Sequence, residues 1–138
     1  MSSFNSYLYA FGVAEQFLPD EYNLQNNQLT VPNTFVLSRT KNGETLSVYS
    51  DNIWDLSPYL PKCDCRLNFD SWLENAREDD FLFCQIRAEM KKISFALLYI
   101  KSGKSIIKSI EQRHTILRQF AAIAYRNGCT LQQLFGDV

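Results

Sequence analysis

The amino-acid sequence predicts an α+β protein, with a small N-terminal β-hairpin lobe over residues 1–79 and a C-terminal helical lobe over residues 80–138. Three observations lead to that reading. The stretch around Asn42-Gly43 has apolar residues flanking a two-residue turn signal. Beyond Asp80, apolar residues recur at steps of three and four, the period of a helix buried along one stripe. Charge divides at nearly the same place: residues 1–85 hold five Lys/Arg against twelve Asp/Glu, a net of −7, and residues 86–138 hold nine against three, a net of +6. The total of −1 therefore conceals an acidic half and a basic half, and a basic half directs attention to polyanionic partners.

Residues 1–33 are rich in Asn, Gln, Tyr and Phe with weak periodicity, and they predict one short helix or irregular aromatic contacts between Tyr7 and Phe17. Phe35-Val-Leu37 and Leu46-Ser-Val48-Tyr49 then flank Asn42-Gly43, the pair suited to two positive φ values in a type I′ turn. Asp51 to Pro58 reads as a turn leading into an anchoring aromatic, Trp54, and Pro58 and Pro61 interrupt regular structure because each lacks a backbone donor. Asp70 is placed to cap a short helix over Ser71–Arg77.

A longer helix is predicted from about Asp80 to Ser102, with Leu82, Ile86, Met90, Ile93, Leu97 and Ile100 as its buried stripe and Gly103 closing it. The run Ile93–Ile100 is apolar almost all round, which leaves a buried strand as the alternative; as a helix it requires a second surface for Phe95 and Tyr99. Ser109-Ile-Glu-Gln112 reads as a capping box opening the next helix, with Ile110, Leu117, Ala121 and Ala124 on one face. Ile116, Phe120 and Ile123 widen that face, and Asn127-Gly128 ends the helix. Thr130-Leu-Gln-Gln133 is a second box, whose short helix docks through Leu131, Leu134 and Phe135.

A hydrophobic content of 46% with 14% aromatic residues is enough for one core in 138 residues. No stretch reaches the roughly 18–20 apolar residues of a membrane span, and the N-terminus lacks the features of a secretory signal, so a cytoplasmic protein without membrane partner is expected. The cysteines at 63, 65, 84 and 129 do not have zinc-site spacing and read as free thiols, so no metal or other cofactor is expected. The acidic cluster Glu74, Glu78, Asp79 and Asp80 could hold a divalent cation, but helix N-terminal placement explains Asp79 and Asp80 without any ion. Trp54, Trp72, Tyr49 and Tyr59 read as the core of the acidic lobe in preference to a base-stacking platform.

Ser94–Phe135 resembles the start of the SAM-like core-binding domain of tyrosine recombinases and phage-type integrases, through Leu97, Leu98, Tyr99, Gly103, Ile110, Leu117, Phe120, Ala121, Tyr125, Gly128 and Leu131. The hairpin and Trp54-Asp-Leu-Ser-Pro58 are similar to N-terminal extensions of some mobile-element integrases. That family cuts DNA with an Arg, a Lys, a His-x-x-Arg cluster and a nucleophilic Tyr in a separate domain that has no counterpart here. His114 precedes Arg118 by one residue too many for the motif. What the resemblance implies is a non-catalytic module, not an enzyme, that binds duplex DNA weakly and in a salt-sensitive way. Lys101, Lys104, Lys108, Arg118 and Arg126 are its phosphate-gripping candidates. Arg113, inside the apolar arc, is expected to snorkel or to pair with an acidic residue, and His114 to be structural. The alternative, from a different class, is a protein-interaction or homo-oligomerisation module using Phe95, Tyr99 and Phe135 as exposed apolar contacts.

Overall fold

The structure is a computed structural model that describes residues 3–22, 30–60, 64–100 and 104–136. It is α+β: two small antiparallel hairpins precede a helical region. The N-terminal segment forms α1 (Ser3–Ala10) and a 3-10 turn at Glu15–Phe17, more structure than the short helix expected there. Phe4 and Leu8, one turn apart on α1, are buried in the core.

The hairpin forms from β1 (Val36–Arg39) and β2 (Thr45–Val48), with Arg39 opposite Thr45 and Val36 opposite Val48. Its turn is not type I′. Gly43 alone takes a positive φ, +82°, and its N–H donates to the Thr40 carbonyl while the Thr40 N–H donates to Glu44. One left-handed glycine after a tight turn closes a longer loop than the two-residue connection, and the register shifts along the pair accommodate it.

A second hairpin, β3 (Ile53–Asp55) with β4 (Arg66–Asn68), occupies the stretch read as turn and irregular chain. Trp54 is indeed the anchor: its ring is fully buried and meets Phe69 edge-on at 4.7 Å. Trp72 and Tyr59 are buried as well. The helix expected over Ser71–Arg77 is absent, replaced by turns in which Asn75 adopts φ +58°. The Asp70 carboxylate is engaged by Arg87 at 2.9 Å, which takes it from the cap position.

The central element is α2 (Phe81–Tyr99), capped by Asp80, whose carboxylate accepts the Phe83 N–H. It is helix through the whole apolar run, so the strand alternative falls. Its buried face is Phe83, Ile86, Met90, Lys91, Ser94, Phe95, Leu98 and Tyr99. The expected stripe is therefore rotated: Ile86 and Met90 are buried, but Leu82, Ile93 and Leu97 are half-buried and Ile100 is exposed. Phe95 and Tyr99 find the second surface they require in the N-terminal half. Phe95 meets Phe35 at 5.3 Å and Tyr22 at 4.9 Å, and Tyr99 meets Phe4 at 5.4 Å. One continuous cluster of buried residues thus runs from Phe4 to Leu131.

A short helix, α3 (Lys104–Lys108), precedes α4 (Ile110–Arg126). Ser109 does not form a capping box. Its hydroxyl donates back to the Ser105 carbonyl at 2.7 Å, the end of α3, and so is turned away from the α4 amides. Ile110, Leu117, Ala121 and Ala124 are buried against the core as the pattern predicts. The α4 C-terminus closes on Gly128 at φ +68°, with Cys129 N–H donating to Ala124 and Gly128 N–H to Tyr125, a complete Schellman arrangement. The box at Thr130 forms in full and opens α5 (Leu131–Phe135). Gly103 and Cys63, both assigned a state from sequence, lie outside the described residues. Cys84 and Cys129 are free thiols.

Candidate functional site

The expected site residues are spread over α3, α4 and α5, with Phe95 and Tyr99 in the core. Lys101 lies outside the described residues. Lys104 and Lys108 are exposed on α3, and Arg126 is exposed near the end of α4. Arg118 is half-buried, and its Nε has no hydrogen-bond partner among the described residues. Eight positions separate Arg118 from Arg126, which at about 100° per residue turns them roughly 80° apart on the helix. The interface trio is also divided. Phe95 is 0% and Tyr99 5% exposed, both consumed by the core, so neither is a contact surface; only Phe135, at 48%, stands in solvent. It packs edge-on against Phe120 at 5.1 Å.

Two members of the basic half serve the fold. Arg87 holds Glu78 through two parallel bonds of 2.7 and 2.9 Å and reaches Asp70 as well. These bonds raise the Arg87 pKa and lower that of Glu78. Lys91 is buried and donates to the Ser50 carbonyl at 3.1 Å and Asn52 Oδ1 at 3.0 Å, with burial pulling its pKa down. Glu89 accepts the Leu131 and Gln132 N–H groups and so fastens α5 to α2. Arg113 is exposed, with its Nε donating to Ser109 Oγ at 2.9 Å.

What the structure does assemble is a groove between α2 and α4. It has a volume of about 210 Å³ and is lined by Ile93, Ser94, Leu97, Ile110, Arg113, His114, Ile116, Leu117 and Phe120. An apolar cavity of about 150 Å³ suffices to hold benzene, so this groove has room for one large apolar side chain. Its apolar character continues over the α4 surface, where Ile116, Phe120 and Ile123 are 53%, 38% and 36% exposed. Phe135 extends the patch from α5.

Two lining side chains carry buried polar atoms that have no hydrogen-bond partner among the described residues: Ser94 Oγ and His114 Nδ1. His114 Nε2 lies 2.7 Å from the Asn68 carbonyl, which can only accept, so the ring donates from Nε2 and presents a lone pair at Nδ1. Burial, with Arg118 nearby, lowers the His114 pKa despite that bond. The Phe69 ring edge packs on the imidazole at 5.1 Å. Through the Asn68 bond His114 joins α4 to β4.

The groove was half visible in the sequence. The breadth of the α4 apolar arc marks Ile116, Phe120 and Ile123 as more than one neighbouring helix can cover. Ser94, Ile93 and Leu97 carried no such signal, because the rotation of α2 that places them there follows from its contacts with the N-terminal half. Among the described residues, no cluster of three or more His, Cys, Asp or Glu side chains is arranged to hold a metal ion. No described helix is long and apolar enough to cross a membrane. No family model matches the chain, and neither a curated protein nor a solved structure matches it.

Proposed function

We propose that this protein is a non-catalytic interaction module and that the α2–α4 groove is its binding surface for a protein partner. The observation that carries this reading is the continuity of the groove with the solvent-facing Ile116, Phe120 and Ile123. Contiguous apolar surface beside a concave site is characteristic of recognition surfaces, whereas scattered apolar residues are not. The spacing of the three is i, i+4, i+7, the pattern with which one helix meets another.

The probe for this reading is a fluorescein-labelled amphipathic helical peptide with apolar anchors at the same spacing and neutral polar residues elsewhere, followed by anisotropy. It should bind, and Ile116→Asp with Phe120→Asp should abolish binding. Both side chains are substantially exposed, so the substitutions leave the core filled. Absence of binding, or equal binding by the double variant, overturns the reading.

A second reading, duplex DNA binding by an integrase-like module, is favoured by one observation: Lys104, Lys108 and Arg126 are exposed and form no ion pair among the described residues. Affinity would be no better than roughly micromolar at physiological salt, since only a few phosphates could be neutralised. Reversal of Lys104, Lys108 and Arg118 to Glu should abolish any duplex binding seen at low salt. The recombinase resemblance rests on the quoted residues alone.

A further inference from the structure

We propose that the occupant of the groove is an amphipathic helix of a partner protein whose apolar anchors are flanked by Asp and Glu side chains; this rests on the groove being a protein-binding surface. Charge complementarity leads to it. From Met90 to Gly136, the stretch that supplies α3, α4, α5 and the groove wall of α2, the sequence contains Lys91, Lys92, Lys101, Lys104, Lys108, Arg113, Arg118 and Arg126 against Glu111 alone. Lys91 is consumed by Ser50 and Asn52. Lys92, Lys104, Lys108, Arg113 and Arg126 are all exposed. Arg113 lines the groove itself, and Arg126 lies three positions beyond the stripe residue Ile123 on α4.

The single carboxylate does not offset them. Glu111 lies five positions from Ile116, which sets it about 140° away around the helix and off the apolar stripe. Glu89, the nearest carboxylate on α2, already accepts two amides of α5. Among the described residues the apolar stripe is therefore flanked by Arg113 and Arg126, neither of which forms an ion pair, and like charge brought against it is repelled.

That disfavours a second copy of this chain. Pairing α4 with another α4 antiparallel about Phe120 brings Arg113 of one copy towards Arg126 of the other, and parallel pairing sets each arginine against itself. Nucleic acid satisfies the cations but offers nothing that fills the apolar groove. An amphipathic helix with acidic flanks satisfies both, presenting three anchors over about 10 Å, or two turns.

The test uses three labelled peptides with identical leucine anchors at i, i+4 and i+7 and flanks that are all Glu, all Gln or all Lys, at roughly 50 and 300 mM salt. The Glu peptide should bind about tenfold more tightly than the Gln peptide at low salt, with the Lys peptide weakest, and the gap should narrow at high salt. Arg113→Glu with Arg126→Glu should invert the order of the Glu and Lys peptides. Equal binding by all three overturns the acidic partner and leaves the groove as an interaction surface. Failure of all three removes both. A DNA duplex that displaces the Glu peptide and still binds Phe120→Asp protein overturns the proposal in favour of nucleic acid.

Discussion

Single basic residues tie distant segments together, both within the acidic half and from the basic half to it. Arg39 donates from Nε to the Leu18 carbonyl and pairs with Asp20, whose other oxygen accepts the Val36 N–H. Arg87 and Lys91 reach from α2 to the acidic half in the same manner. Charge separation along the chain is thus used in part for internal pairing. His114 adds the one group that titrates near neutrality, being the only histidine in the chain. Its folded pKa is depressed by burial, whereas in the unfolded chain it sits near 6.5. Below that value the unfolded state binds more protons than the folded one, so stability falls as pH drops from about 7 towards the folded pKa and levels off beyond it. Asp55, Glu78 and Asp80 also have lowered pKa values, and their contribution is lost only below about pH 4.5. Urea unfolding between roughly pH 7.5 and 5.5 should therefore show a decline in wild type that is absent in His114→Gln, whose amide can still donate to Asn68. An unchanged slope in the variant would show that burial of this ring does not shape stability.

At the scale of elements, the two Ser/Thr-x-x-Gln signals behave differently, and the difference is measurable. Thr130 Oγ1 accepts the Gln133 N–H and Gln133 returns a bond to the Thr130 amide. Ser109 spends its hydroxyl on Ser105 and Arg113. Thr130→Ala should cost about 1 kcal/mol, the usual worth of a cap. Ser109→Ala, on a partly exposed hydroxyl, should cost less than about 0.5 kcal/mol. Comparable losses in denaturant titrations would contradict this assignment of caps. The same contrast explains what the sequence discloses. The motif at Thr130 is followed by one helix and nothing competes for its hydroxyl; at Ser109 the preceding α3 supplies a carbonyl acceptor. α4 was legible because its deeply buried face lies on one side. α2 was misread in rotation because Phe83, Phe95 and Tyr99 pack on the N-terminal half while Ile93 and Leu97 border the groove, so apolar residues lie nearly all round. β3 and β4, three residues each, are too short to display a period of two. Of the candidate site, the width of the α4 arc pointed to Ile116, Phe120 and Ile123, but no local pattern could pair them with Ser94 across two helices.

For the whole molecule, the decisive fact is that the aromatic layer of α2 is completed by residues distant in sequence. Phe95 and Tyr99 stack at 4.5 Å and are covered by Phe4, Tyr22 and Phe35. On the other side of α2, Trp72 stacks on Phe83 at 5.1 Å, and the Tyr125 hydroxyl donates to the Asp80 carboxylate that caps the helix. A chain cut between Asp79 and Asp80 would leave each piece with half a layer. Burying one large aromatic side chain is worth about 1.5–3 kcal/mol, and several such contacts cross the cut, against a typical domain stability of about 5–15 kcal/mol. Neither residues 1–79 nor residues 80–138 alone should then give a dispersed amide spectrum or a cooperative thermal transition. Mixing the two pieces at equal concentration should restore the spectrum of the intact chain, because the complementary aromatic faces and the Arg87 and Lys91 contacts still drive association. Cooperative unfolding of isolated residues 80–138 would show instead that the helices carry their own core. The contacts of Phe95 and Tyr99 would then be an interface between autonomous halves, and the alternation of charge along the chain would mark a true domain boundary.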